Sequence, residues 1–137
     1  KFYYDGIIDR TKSKDLSDIK IHQFIKEMNL AYAAADIIIS RAGALSISEL
    51  CIVGKPTVLI PSPNVSEDHQ TKNAMALVNK NAAILIKDIE AKEKLADAVL
   101  NLITDNNKLN ELSKNIKTLA KTNAANDIVS EIINQIK

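Results

Sequence analysis

Glu49, Arg41, His69 and Gln70 are the side chains whose types and surroundings suit them to ligand chemistry. Glu49 closes the stretch Asp36–Glu49, DIIISRAGALSISE. A carboxylate at a helix start can accept two hydroxyls of a ribose, as acidic residues do in dinucleotide folds. The same Ser46-x-x-Glu49 spacing also makes a capping box, with Ser46 accepting from the N–H of Glu49 and Glu49 reaching back to Ser46. Both readings put Glu49 in the first turn of a helix. Arg41 stands beside the turn at Gly43 and is one of only two arginines, the other being Arg10. Arginine is the usual choice for bidentate phosphate recognition, so its isolation here is informative. Pro61–Asn73, PSPNVSEDHQTKN, is the second constellation. Glu67 and Asp68 suit the dipole of a helix first turn. His69 and Gln70 can also bridge to hydroxyls. His22 reads as a strand surface residue. His69 with two adjacent carboxylates supplies too few ligands for a metal site.

These side chains need a strand, a tight turn and a helix N-terminus in that order. Ile37–Ile39 is a β-branched run that stops at Ser40-Arg41, and residues Ile47–Val53 form a helix after the turn. Gly54 ends that helix as a left-handed cap, Pro56 blocks its continuation, and Thr57–Ile60 is the next strand. Pro61–Asn64 is a rigid loop, and Ser66 can cap a helix from Glu67 to about Asn79. Ala83–Ile86 is another strand. Helices follow from Ile89, over Lys108–Ala120 and over Ala125–Ile136. Upstream, Lys1–Arg10 reads as the tail of a helix and Thr11–Ser17 as a loop. Ile19–Phe24 alternates apolar and polar residues as a strand does, and Met28–Ala35 is helical.

Strands alternating with helices predict a parallel α/β sheet with right-handed crossovers. Ligands of such sheets lie beyond the carboxyl ends of the strands. A helix start there offers free N–H groups and the positive end of the dipole. Four strands make a narrow sheet, so at least one more is expected upstream of this chain.

The 137 residues suit one domain with its own core. That core is aliphatic, since 46% of residues are hydrophobic but only 4% aromatic. A net charge of +1 argues against a nucleic-acid partner. The single cysteine, Cys51, excludes an internal disulfide and reads as a buried, inert thiol. No apolar run is long enough to span a bilayer and no signal peptide precedes the fold, so a cytosolic setting is the default. The sequon Asn64-Val65-Ser66 matters only for a secreted protein. No Ser-His-Asp order, Cys-His pair, P-loop or G-x-G-x-x-G is present, and three glycines cannot build a phosphate-cradling loop. On the residues alone, the chain is a sugar- or nucleotide-binding α/β half-domain with no evident general base.

Two segments, FIKEMNLAYAAADIIISRAGALSISEL and GKPTVLIPSPNVSEDHQTKNA, carry a more specific resemblance. The combination SRAGA, SE, GKP, DHQ and NA resembles the MurG family, bacterial N-acetylglucosaminyltransferases that make lipid II from lipid I. The resemblance runs along the whole chain and is dense from Phe24 to Ala74. It implies a Rossmann-like parallel sheet with flanking helices, the C-terminal half of a GT-B glycosyltransferase. Residues 1–137 would then be the UDP-GlcNAc-binding domain, incomplete at its N-terminal side and without the acceptor domain.

The resemblance also implies site roles. Ile25 would present backbone to the uracil edge. Ala44, Leu45, Ser46, Ile47, Ser48 and Glu49 would border the donor, with Glu49 on the ribose hydroxyls. Gln70 would hold the GlcNAc hydroxyls. His69 stands where relatives carry Gln, and Arg41 would support the loop. No catalytic residue would lie in this chain. Transfer from UDP-GlcNAc inverts the anomeric centre, and helix N-termini can stabilise the charge on the leaving UDP, so no metal or cofactor is implied. The lipid I acceptor would bind through the absent domain, at the cytoplasmic face of the inner membrane, with peripheral attachment. Two alternatives stay open: an enzyme like UDP-GlcNAc 2-epimerase, which would want more acid/base groups around the sugar, and a non-catalytic nucleotide-sugar-binding module.

Overall fold

The structure, a computed structural model, describes residues 2–11, 15, 17–63 and 68–136. It divides into two units, Lys1–Ala34 and Ala35–Lys137. The first unit holds two helices, α1 (Phe2–Thr11) and α2 (Met28–Ala34). Thr11 ends α1 by donating its hydroxyl to the carbonyls of Ile7 and Ile8, at 2.9 and 3.2 Å. The stretch Ile19–Phe24 is not a strand. It runs as irregular chain with Phe24 78% exposed, so the predicted alternation has no sheet to serve. His22 is accordingly on irregular chain rather than on a strand face, and exposed.

The second unit is the α/β body. Its order is β1 (Ile38–Ser40), α3 (Ala44–Val53), β2 (Thr57–Leu59), α4 (His69–Val78), β3 (Ile84–Leu85), α5 (Asp88–Thr104), α6 (Asn106–Lys117) and α7 (Ala124–Ile136). Among the described residues the sheet has three strands in the order β1-β2-β3, all parallel. Ile38, Ile39 and Ser40 stand against Thr57, Val58 and Leu59, and Val58 and Leu59 against Ile84 and Leu85. The expected parallel α/β sheet is therefore present, with three strands where four were read.

The apolar run of β2 explains its central place. All three of its residues are buried, as a strand covered on both faces requires. Thr57 is fully buried because its hydroxyl donates to the carbonyl of Lys55 at 3.0 Å. Val58, Ile86, Leu102 and Leu112 form the core beneath α5 and α6, with Leu95 and Val99 packed against them.

The turns follow their residues. Gly54 takes φ 68° and returns its N–H to the carbonyl of Leu50, the expected left-handed cap. Ser113 on α6 donates to the Gly54 carbonyl at 2.6 Å, fixing α6 against this turn. Asp105 caps α6 by accepting from the N–H of Lys108 at 2.9 Å. Cys51 is 4% exposed, and burial pushes its thiol pKa up.

Two helix starts differ from the sequence expectation. α3 begins at Ala44, three residues before Ile47, with Gly43 as its N-cap. Ala44 and Leu45 are strong helix formers, so the helix opens directly after the turn residue and needs no hydroxyl cap. Ser46 is thus inside the first turn and Glu49 in the second, and the capping box is not formed. α4 begins at His69, with Asp68 before it at φ 55°, so Asp68 is not a first-turn residue. The predicted cap Ser66 and first-turn Glu67 lie outside the described residues.

Candidate functional site

Three loops leave the carboxyl edge of the sheet side by side, because Ser40, Leu59 and Leu85 end neighbouring strands. After β1 come Arg41, Ala42 and Gly43, then the start of α3. After β2 come Ile60, Pro61 and Ser62. After β3 come Ile86 and Lys87, then Asp88 at the start of α5. A site for a ligand of this fold belongs here.

Arg41 reaches across all three loops. Its Nη1 donates to the carbonyls of Ile60 and Pro61, at 3.2 and 3.4 Å, and pairs with Oδ1 of Asp88. Ser40 donates its hydroxyl to the Arg41 carbonyl at 2.9 Å.

The turn after β1 is gripped from α4. Ala42 is fully buried, and both its backbone groups are satisfied by amide side chains three residues apart on α4. Its N–H donates to Oε1 of Gln70 at 3.3 Å, and its carbonyl accepts from Nδ2 of Asn73 at 3.1 Å. The same Oε1 accepts from the N–H of Ser62 at 2.8 Å. Gln70 therefore joins the β1 and β2 loops through one oxygen. With that oxygen turned to two backbone donors, the other end of the amide is its NH2, a hydrogen-bond donor.

The start of α3 supplies the complementary chemistry. Gly43 is its N-cap with φ −65° and ψ 150°, and no side chain caps it. The first helical N–H groups, on Ala44, Leu45 and Ser46, lack intrahelical acceptors by geometry, and the dipole's positive end lies among them. The bond from Ile47 N–H to the Gly43 carbonyl, at 2.9 Å, closes the first turn. Leu45 is 82% exposed. Glu49 lies one turn deeper on the same face as Leu45 and Ser46, about 7.5 Å along the axis from Ala44. Its Cα–Cβ bond tilts towards the helix N-terminus, as in any α-helix. Ser48 donates its hydroxyl to the Ala44 carbonyl at 3.1 Å and is held within the helix.

Arg41, the residues Ala44–Glu49, His69 and Gln70 thus gather on adjoining elements of the α/β unit. Gln70 and Arg41 are engaged with loop backbone. His69 is the exposed first residue of α4. Ile25 belongs to the first unit, on irregular chain just before α2, and is 40% exposed. Asn73 has no role assigned from the sequence, although it lies in the quoted motifs, and Asp88 is not named there. For Asn73 a signal existed, since Gln70-x-x-Asn73 places two amides on one helical face. For Asp88 there was none beyond its acidic type at a helix start.

Two clefts of the unit are lined mainly by other residues, the second one reaching Ile47 and Ser48 of α3. One, of about 510 Å³, runs between Ile39 and the α5 residues Ala91, Leu95 and Val99. The other, of about 810 Å³, lies between α3, α4 and the chain entering α7. No helix among the described residues is long and apolar enough to cross a membrane.

The comparisons with known proteins agree with one another. Residues 7–132 match the glycosyltransferase family 28 C-terminal domain. A UDP-N-acetylglucosamine--N-acetylmuramyl-(pentapeptide) pyrophosphoryl-undecaprenol N-acetylglucosamine transferase of Bacteroides thetaiotaomicron is 53% identical over 134 residues, covering 97% of this chain and 36% of the relative. The protein of the same name from Porphyromonas gingivalis is 59% identical over 112 residues, covering 82% of this chain and 30% of the relative. The crystal structure of Acinetobacter baumannii MurG superposes with a TM-score of 0.76 at 30% identity, over 84% of this chain and 33% of that one. The chain thus spans about a third of the length of the curated relatives it matches. A family match across nearly all of the chain, on a parallel α/β unit whose loops gather at the carboxyl edge, makes it a member of glycosyltransferase family 28, in that family's C-terminal domain.

Proposed function

We propose that the chain is the donor-binding part of an inverting glycosyltransferase. In this reading the whole protein moves GlcNAc from UDP-GlcNAc to undecaprenyl-pyrophosphoryl-MurNAc-pentapeptide, converting lipid I to lipid II in peptidoglycan synthesis. The observation that carries it is the 53% identity, over 97% of the chain, to a transferase of that name. The geometry supports it, because the uncapped start of α3 lies at the edge where ligands of such sheets bind.

The residue roles are those that the family resemblance implies. The N–H groups of Ala44, Leu45 and Ser46 meet the donor, with Ile47 and Ser48 completing that turn. Glu49 accepts the ribose hydroxyls. Gln70 uses its NH2 on a GlcNAc hydroxyl while its oxygen holds the loops. Arg41 braces the loops, and His69 stands at the margin of the sugar site. Charge developing on the leaving UDP is stabilised by the positive end of α3.

Residues 1–137 form the C-terminal donor-binding domain in this reading, incomplete at its N-terminal side. Among the described residues no strand pairs with the outer edge of β1, and that edge with the apolar cleft beside Ile39 suits a further strand from the preceding chain. The acceptor, lipid I, binds a separate domain, and the whole enzyme works peripherally at the cytoplasmic face of the inner membrane. The test is a transfer assay with the full-length protein, labelled UDP-GlcNAc and a soluble lipid I analogue. GlcNAc linked to the analogue is expected. Conversion of the donor to its 2-epimer, or donor binding without turnover, would replace this reading with one of its two rivals.

A further inference from the structure

We infer that Asp88 is a positioning residue, holding Arg41 in the place from which it ties the three loops of the donor edge together. Arg41 touches both the β2 loop, through the carbonyls of Ile60 and Pro61, and the start of α5 beyond β3, through Asp88. A guanidinium on a long side chain has many rotamers, and two carbonyl acceptors on one nitrogen do not select among them strongly. A carboxylate at the start of α5 does, because a charge-assisted bond is stronger and its own helix fixes its position. The consequence reaches the sugar site through Gln70. The loop that Arg41 holds at Ile60 and Pro61 continues to Ser62, whose N–H donates to Oε1 of Gln70. If that loop shifts, the amide of Gln70 loses one of the two donors that orient it.

A second role for Asp88 is available. It is the first residue of α5, where an acidic side chain complements the helix dipole. The two roles predict different things. The pair is part-exposed, with 55% of the Arg41 side chain and 36% of the Asp88 side chain accessible, so its removal leaves the fold intact. A positioning role shows in donor affinity and loop order, and only through Arg41. A dipole role shows in helix stability, with or without Arg41.

This inference rests on the donor-site reading, and the experiment separates the two. In the full-length protein, Asp88→Asn, Asp88→Glu, Arg41→Ala and the Asp88→Asn/Arg41→Ala double variant are compared. Asp88→Asn is expected to raise the KM for UDP-GlcNAc about two- to fivefold, the size an exposed ion pair can carry, with kcat within about twofold. Amide exchange at Ala42, Ile60 and Ser62 is expected to quicken, Asp88→Glu to restore both readouts in part, and Asp88→Asn to add nothing in the Arg41→Ala background. Unchanged exchange at those amides, or an equal effect of Asp88→Asn with and without Arg41, would overturn it. If the wild-type protein does not use UDP-GlcNAc, the donor reading falls, and the exchange measurements still decide what Asp88 does.

Discussion

Replacing Gln70 separates holding the loops from touching a ligand. Gln70→Ala deletes the oxygen that accepts from Ser62 N–H at 2.8 Å and Ala42 N–H at 3.3 Å. Ala42 is fully buried, so water does not easily replace the lost acceptor there. The Ser62 bond is the shorter of the two, and both are part-buried. At about 1 kcal/mol for each donor, the variant should lose roughly 2 kcal/mol of stability. That corresponds to a fall of about 8 °C in Tm at roughly 4 °C per kcal/mol for a domain of this size. Gln70→Glu keeps an acceptor oxygen for both N–H donors and replaces the NH2 with a second, charged oxygen, so it should destabilise clearly less than Gln70→Ala. With no Trp in the sequence, far-UV circular dichroism is the natural probe for urea unfolding. The midpoint should drop for Gln70→Ala at unchanged m. In the full-length protein both variants should weaken use of UDP-GlcNAc, while UDP inhibition is largely kept in Gln70→Glu. Equal destabilisation by the two substitutions, or none by Gln70→Ala, would refute the claim that one oxygen ties the loops.

Glu49→Ala in the full-length protein should raise the donor KM by an amount worth about 1.5–3 kcal/mol, that of hydrogen bonds to a charged group. Steady-state kinetics with UDP-GlcNAc as the varied substrate check it, and an unchanged donor KM would refute it. Gly54→Ala should cost about 1–2 kcal/mol, since φ is 68° and a Cβ there would meet Cγ and Cε of Lys117 at 2.3 Å; urea unfolding reads it. Cys51 should react slowly with a thiol reagent until the chain unfolds, because burial raises its pKa and lowers the thiolate fraction. The folded thiol holds its proton more tightly than the unfolded one, so stability should decline as the pH rises through the ordinary thiol range, and labelling and unfolding in alkaline buffer test that sign.

The elements of the α/β unit were legible because each carries its own local signal. Ile37–Ile39, the apolar Thr57–Ile60 and the Gly54-x-Pro56 stop announce strands and a helix end without reference to anything distant. The Ile19–Phe24 error shows the limit of periodicity. Alternation says that a segment fits a half-buried sheet, not that a strand is there to pair with it. The start of α3 was misread for a different reason. Ser46-x-x-Glu49 satisfies the capping pattern, but the helix opens wherever the backbone first permits it, and Gly43 permits it three residues earlier.

The candidate site residues were read from type and resemblance, and the gathering of those in the α/β unit at one edge follows from strand order. The contacts that hold them together were not legible. Arg41 bonds to residues 19, 20 and 47 positions away, and Ala42 is gripped from 28 and 31 positions away. Such partners are set by which loops the sheet brings side by side, and no local window contains them.

The central claim is that the donor sits on the uncapped start of α3 and the α4 residues that grip the preceding turn. Hydrogen–deuterium exchange of the full-length protein, with and without saturating UDP-GlcNAc, tests it most directly. Protection should concentrate in peptides covering residues 42–49 and 69–73, with the body of α5 beyond its first turn unchanged. Protection confined to other segments, with residues 42–49 exchanging as fast as in the free protein, would contradict the account.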